Sequence, residues 1–258
     1  MTALPKKNLS MPYDIVIVII LVSLMLSACG LKTVPRPLEG RADDADAIIP
    51  LDIKLENSEP KTLILIDIQN DFCPGGALAV PEGDAVVPAA NRLMPVYSHV
   101  IATQDWHPAG HHSFASGHGK KPGDIVMLGN IRQILWPDHC VQGTHGAEFH
   151  PALHRQYFTH IVQKGINPEV DSYSAFFDNA RLKSTGLADY LHRKGITHLD
   201  IMGLATDYCV KYSALDALDL GFQVRILLNG CRGINLQPGD TDRALSEITS
   251  AGGLIVNE

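Results

Sequence analysis

The chain has 258 residues, 45% of them hydrophobic and 19% charged, a balance that excludes disordered, collagen-like and multi-span membrane chains. Its 21 Lys and Arg against 28 Asp and Glu leave a net charge of −7, so there is no basic footprint for nucleic acid. Five cysteines are too few for a disulfide-built scaffold in a chain long enough to bury its own core.

The first predicted element is an address label. Lys6 and Lys7 precede an apolar run over 15–22, continued by Leu24, Met25 and Leu26 and followed by Ser27, Ala28, Cys29 and Gly30. A positive start, an apolar stretch of about a dozen residues and small residues before a cut read as a secretory signal. The run is short for a spanning helix, which needs roughly 20 apolar residues. The string L-S-A-C resembles a bacterial lipobox. Residues 1–29 are therefore expected to be a lipoprotein-type signal peptide ending at a lipidated Cys29. The expected address is the cell envelope, anchored by lipid on the periplasmic face, or the cytoplasm if the chain starts later, at Met11. Residues 30–60, with Pro35, Pro37 and the mostly charged stretch 41–46, read as a flexible tether.

From Lys61 to the end, one domain (61–258) alternates short apolar runs with amphipathic stretches. Strands are predicted over 62–67, 99–105, 159–164, 198–204, 223–228 and 253–256, all rich in Ile, Val or Leu, as suits strands buried on both faces. Helices are predicted over 84–97, 187–194, 209–220 and 241–251. Strand followed by helix, repeated, argues for an α/β, Rossmann-like three-layer sandwich around a parallel sheet. In such sheets ligands bind beyond the carboxyl ends of the strands, which directs attention to Asp67, Asp105, Lys164 and the segment after Leu204.

Each of those ends carries chemistry. A carboxylate closing a buried strand, as Asp67 does, is partly desolvated and suited to shuttling protons. Lys164 closes the third strand in front of Gly165. After Leu204 a helix is expected to begin near Asp207 or Tyr208, capped by Thr206 or Asp207, which puts Cys209 in its first turn. Free N–H groups there would favour a thiolate and receive a developing oxyanion. Lys164 would add to the thiolate's stability while Asp67 takes and returns its proton. A metal reading belongs to the segment holding most of the histidines. Asp105 and His107, two apart in an extended stretch, face one point, and His111, His112, His118, His139, His145 and His150 compete to be a third ligand. An Asp/His/His set suits zinc, manganese or iron.

Taken in order, D-I-Q-N-D-F at Asp67, D-W-H-P-x-x-H-x-S-F at Asp105, W-P-D-H-C at Trp136, K-G at Lys164 and G-L-A-T-D-Y-C-V at Gly203 resemble the nicotinamidase/pyrazinamidase branch of the isochorismatase-like cysteine hydrolases. The resemblance runs from about Lys61 to the carboxyl terminus. It implies a six-stranded parallel sheet and a catalytic triad of Asp67, Lys164 and Cys209. It further implies a cis peptide at Leu204–Ala205, an oxyanion hole of the Ala205 and Cys209 N–H groups, and His139 as the ligand beside Asp105 and His107. Phe72, Trp136 and Tyr173 become the walls around a pyridine ring. The implied cofactor is one divalent ion, zinc first and manganese or iron as alternatives. The implied reaction is deamidation of nicotinamide, and of pyrazinamide, through a thioester. Partners are then the small-molecule substrate, a membrane through the lipid anchor alone, and a second copy of the chain if it forms a homo-oligomer. Two other functions fit the residues: an amidase acting on another carbamoyl or ureido compound, and a non-catalytic lipid-anchored binding protein on the same fold. Cys73, Cys140 and Cys231 read as packing cysteines.

Overall fold

A computed structural model describes residues 61–257; the expected signal, Cys29 and the tether lie outside the described residues. The strands are β1 (Thr62–Ile66), β2 (His99–Asp105), β3 (Ile125–Leu128), β4 (Ile131–Ile134), β5 (His160–Lys164), β6 (His198–Leu204), β7 (Gln223–Arg232) and β8 (Leu254–Val256). The helices are α1 (Val86–Leu93), α2 (Leu187–Arg193), α3 (Lys211–Asp219) and α4 (Asp240–Ser250). Six strands form one sheet in the order β5-β2-β1-β6-β7-β8, every neighbouring pair parallel. Every residue of β1 is buried, as expected of a central strand covered on both faces.

The strand order places the site. From β1 the chain steps outward to β2 and β5, then returns to the other side of β1 as β6 and steps away through β7 and β8. Right-handed crossovers laid out in opposite directions put their helices on opposite faces and leave a crevice where the direction reverses. That crevice lies beyond the carboxyl ends of β1 and β6. Asp67 stands at one lip and the turn carrying Cys209 at the other. Lys164 enters from β5, where it pairs in register with Asp105 of β2.

Three local features differ from expectation. The predicted helix over 84–97 keeps α-geometry only over Val86–Leu93, with 3₁₀ turns at Gly83–Ala85 and Met94–Val96; at its carboxyl end Pro95 has no N–H to donate to the Asn91 carbonyl one turn back. β7 continues to Arg232, past a register irregularity against β6 between Ile201 and Gly203. β3 and β4 form an antiparallel hairpin outside the main sheet that was absent from the predicted elements. The two residues between them, Gly129 and Asn130, are a turn signal flanked by apolar runs and mark the hairpin in the sequence.

Candidate active site

Cys209 stands in a π-helical turn, Thr206–Val210, that leads into α3. The turn follows a cis peptide between Leu204 and Ala205. The amides on either side of Cys209, those of Tyr208 and Val210, both donate to the Ala205 carbonyl (3.1 Å each). Neither Thr206 nor Asp207 caps the helix, contrary to the expectation from sequence: Ala205 holds the N-cap position and no side chain caps it. The Asp207 carboxylate instead accepts the amides of Ile234 (2.9 Å) and Asn235 (2.7 Å), pinning the loop after β7 over the crevice.

The Lys164 ammonium, 1% exposed, is the hub of the site. It lies 2.9 Å from Asp67 Oδ2 and 2.8 Å from Asp105 Oδ1, and donates to the Ser172 carbonyl at 2.9 Å and to Cys209 Sγ at 3.5 Å. Two carboxylates hold its pKa well above the usual lysine value despite complete burial. Asp67 is itself in the left-handed region (φ 47), a conformation uncommon for a non-glycine residue. Thr103 restrains it twice, donating its hydroxyl to Asp67 Oδ1 (2.6 Å) and accepting the Asp67 amide (3.1 Å). Burial raises the Asp67 pKa against the opposing pull of Lys164. Burial pushes the Cys209 thiol well above its ordinary value, and the Lys164 charge that opposes this is already shared with Asp67 and Asp105, which both push the thiol up further. Asp67 lies within hydrogen-bonding reach of the sulfur and can take its proton as the nucleophile attacks.

Beside this trio, Asp105, His107 and His139 are all buried and present ligand atoms within 4.8 Å of one another. His107 Nε2 lies 3.2 Å and His139 Nε2 3.5 Å from Asp105 Oδ2. Each imidazole is oriented through its other nitrogen: His107 Nδ1 donates to the Gly165 carbonyl (2.9 Å) and His139 Nδ1 to the Pro137 carbonyl (2.8 Å), leaving both Nε2 lone pairs for a cation. His107 Nε2 is buried without a hydrogen-bond partner. Although burial disfavours charge, Asp105 pushes His107 up to about 9, the mark of a place that attracts positive charge. These three residues therefore fit a divalent ion. His111, also buried, lies outside that trio but forms with His107 and Asp171 a second group of ligand atoms within 4.8 Å of one another. Its Nδ1 accepts the Ser113 amide (3.1 Å), its Nε2 is buried without a hydrogen-bond partner, and burial and the His107 charge lower its pKa to about 4. Gly165 has φ +66, and a Cβ on it would overlap the His107 ring. Gly165→Ala is thus expected to weaken divalent-ion binding about 10–100-fold, measured by competition with a chromogenic chelator.

A cleft of about 320 Å³, its open mouth included, joins the two centres. Phe72, Trp136 and Tyr173 all line it, together with Leu78, Tyr208, Ile234 and Asp171, which the sequence reading did not single out. Tyr208, next to Cys209, was the legible one. Trp136 meets Tyr208 edge to face (4.9 Å between centroids) and donates its indole N–H to the Tyr173 hydroxyl (3.1 Å). The narrow space between these aromatic faces suits a single planar ring. A wider groove of about 1280 Å³, its open mouth likewise included, is walled by Lys61, Asp200 and Arg225 and is lined by no cysteine. Cys73, Cys140 and Cys231 are buried and free, burial pushes Cys73 to about 11 and Cys231 to about 12, and none of the three lines the cleft.

A thiol, a carboxyl and an ammonium in contact at the switch point of a parallel sheet, beside a ligand set for a divalent ion, define a cysteine-dependent hydrolase. The isochorismatase domain matches residues 61–257. Over 197 residues the chain is 54% identical to the nicotinamidase of Escherichia coli K12, spanning 75% of this chain and 92% of that protein. The structure of an Acinetobacter baumanii nicotinamidase/pyrazinamidase superposes with a TM-score of 0.75 at 40% identity, covering 78% of this chain and 98% of that one. A Pyrococcus horikoshii pyrazinamidase in complex with zinc gives 0.63 at 38% identity, covering 77% and 99%. The chain belongs to the isochorismatase family, in its nicotinamidase/pyrazinamidase branch.

Proposed function

We propose that the chain hydrolyses the carboxamide of nicotinamide, and of pyrazinamide, to the carboxylate and ammonia. The observation that carries this reading is the contact of Lys164 with Asp67, Asp105 and Cys209 at the floor of an aromatic cleft. Asp105, His107 and His139 would hold the divalent ion, which when bound supplies a Lewis-acid contact for the nitrogen of a heteroaromatic ring. Zinc, found in the Pyrococcus relative, is the first choice. Trp136, Tyr173 and Phe72 would sandwich the ring and exclude water. The carboxamide carbon would then lie over Cys209. As Sγ attacks, its proton passes to Asp67, and the carbonyl oxygen collects charge at the amides of Ala205 and Cys209. Asp67 returns the proton to the departing nitrogen, releasing ammonia and leaving a thioester. Water then attacks the thioester while Asp67 takes its proton and passes it back to sulfur, giving the acid. Throughout, Lys164 keeps its charge and holds Asp67 in place.

Purified protein is expected to release ammonia from nicotinamide and pyrazinamide, to lose that activity on chelation and to regain it with zinc. Release from N-carbamoylsarcosine but not from nicotinamide would favour the carbamoyl-amidase alternative. Asp105→Ala and His139→Ala are expected to lose the bound ion, and unchanged metal stoichiometry in either would refute the ligand set. The envelope address belongs to this proposal as well: lipidation at Cys29 predicts globomycin-sensitive processing, and an intact Met1 on the native protein would overturn it.

A further inference from the structure

The segment immediately after β1 reaches both loops that carry the ion ligands. Gln69, fully buried, uses its whole amide on backbone: Oε1 accepts the Asp105 amide (2.8 Å), and Nε2 donates to the carbonyls of Asp105 (2.8 Å) and Ala147 (2.9 Å). It thus holds Asp105 from both sides of its Cα, as a neighbouring strand would, at the point where β2 ends. Two residues on, Asp71 Oδ2 accepts the amide of Cys140 (2.7 Å) and Oδ1 that of Ala77 (3.1 Å). Cys140 directly follows His139 and stands in the left-handed region (φ 45), a conformation that persists in a non-glycine residue only where its surroundings impose it. The Cys140 carbonyl in turn accepts the His107 amide (3.0 Å), and the Gln142 amide donates to the His107 carbonyl (2.8 Å), which ties the His139 loop to His107. A Cβ on Gly146 would overlap the Asp71 carboxylate, so that carboxylate is packed flush against the same loop.

We propose that Gln69 and Asp71 are positioning residues for the divalent ion: Gln69 fixes the backbone of Asp105, and Asp71 fixes the turn that aims His139. Neither touches the nucleophile. One hexapeptide, Asp67 to Phe72, thereby supplies the proton shuttle and sets the relative placement of ion and thiol. The inference rests on the ion reading above. Groups that orient metal ligands typically change affinity 10–100-fold when removed.

The test uses the full-length chain, zinc alone as probe, and two readouts. Zinc affinity is measured by competition with a chromogenic chelator, with Asp105→Ala as the non-binding control. The rate of Cys209 alkylation in the metal-free protein is followed by peptide mass spectrometry. Gln69→Ala and Asp71→Ala are each expected to bind zinc about 10–100-fold more weakly while Cys209 alkylates at the wild-type rate. Wild-type zinc affinity in the folded variants would overturn the proposal. So would an alkylation rate that changes in step with affinity, since that marks general loosening of the site. If Gln69→Ala does not fold, Asp71→Ala decides by the same two measurements. Failure of the wild-type chain to bind zinc would overturn the ion reading together with this one, whereas binding that ignores both substitutions overturns this one alone.

Discussion

Cys209→Ala is expected to fold, bind zinc and release no ammonia from nicotinamide, with turnover lower by on the order of 10⁵-fold or more, the scale on which hydrolases lose activity with their nucleophile. The large effect follows from the covalent step: no other thiol lines the cleft, and Cys73, Cys140 and Cys231 lie among core side chains. The fold should tolerate the change because the side chain is small and the Lys164 contact to its sulfur is long, at 3.5 Å. A steady-state ammonia assay paired with an unfolding curve checks both halves. Retained ammonia release would remove the mechanism.

Lys164→Met is expected to cost both activity and stability. The ammonium neutralises two buried carboxylates, at 2.9 and 2.8 Å, and its removal leaves Asp67 and Asp105 facing each other's charge in a desolvated site. Breaking such a buried set typically costs about 3–5 kcal/mol, which in a domain of this size lowers the melting temperature by roughly 6–20 °C. The loss should depend on pH in a defined direction. In the variant one carboxyl of the pair keeps its proton to higher pH in the folded chain than in the unfolded one, where aspartate titrates near ~3.9. Folding then takes up a proton, so the deficit is full at neutral pH and narrows as the pH falls towards ~4. Thermal melts of metal-free wild type and variant across that range measure it. A deficit that widens on acidification would show that Lys164 neutralises neither carboxylate.

The parts of the site that were legible in the sequence share one cause. Buried parallel strands read as apolar runs, and the residue ending each run, Asp67, Asp105 or Lys164, stood out because a charged side chain there must be paired or functional. Cys209 was legible because a short polar string joins an apolar run to an amphipathic one. Less could be read of the cleft walls: Leu78 and Ile234 come from loops far apart in the chain, and nothing periodic marks them. The β3–β4 hairpin lies outside the predicted elements because its strands are only four residues long, largely part-exposed and separate from the main sheet.

The sequence by itself determined the kind of chemistry: which residue types close which strands, and hence a thiol, a carboxyl and an ammonium gathered at one sheet end. Only the tertiary structure decided how those groups are shared. Spacing left six histidines competing as the third ion ligand. The structure brings His139 within reach of Asp105 because the loop around Cys140 pairs with His107, and it ties the nearer His111 to Ser113. It also decided how the Lys164 charge is distributed around Cys209. A charge is stabilised by whatever lies within a few ångströms in the folded chain, and there Lys164 divides its single charge among three acidic neighbours.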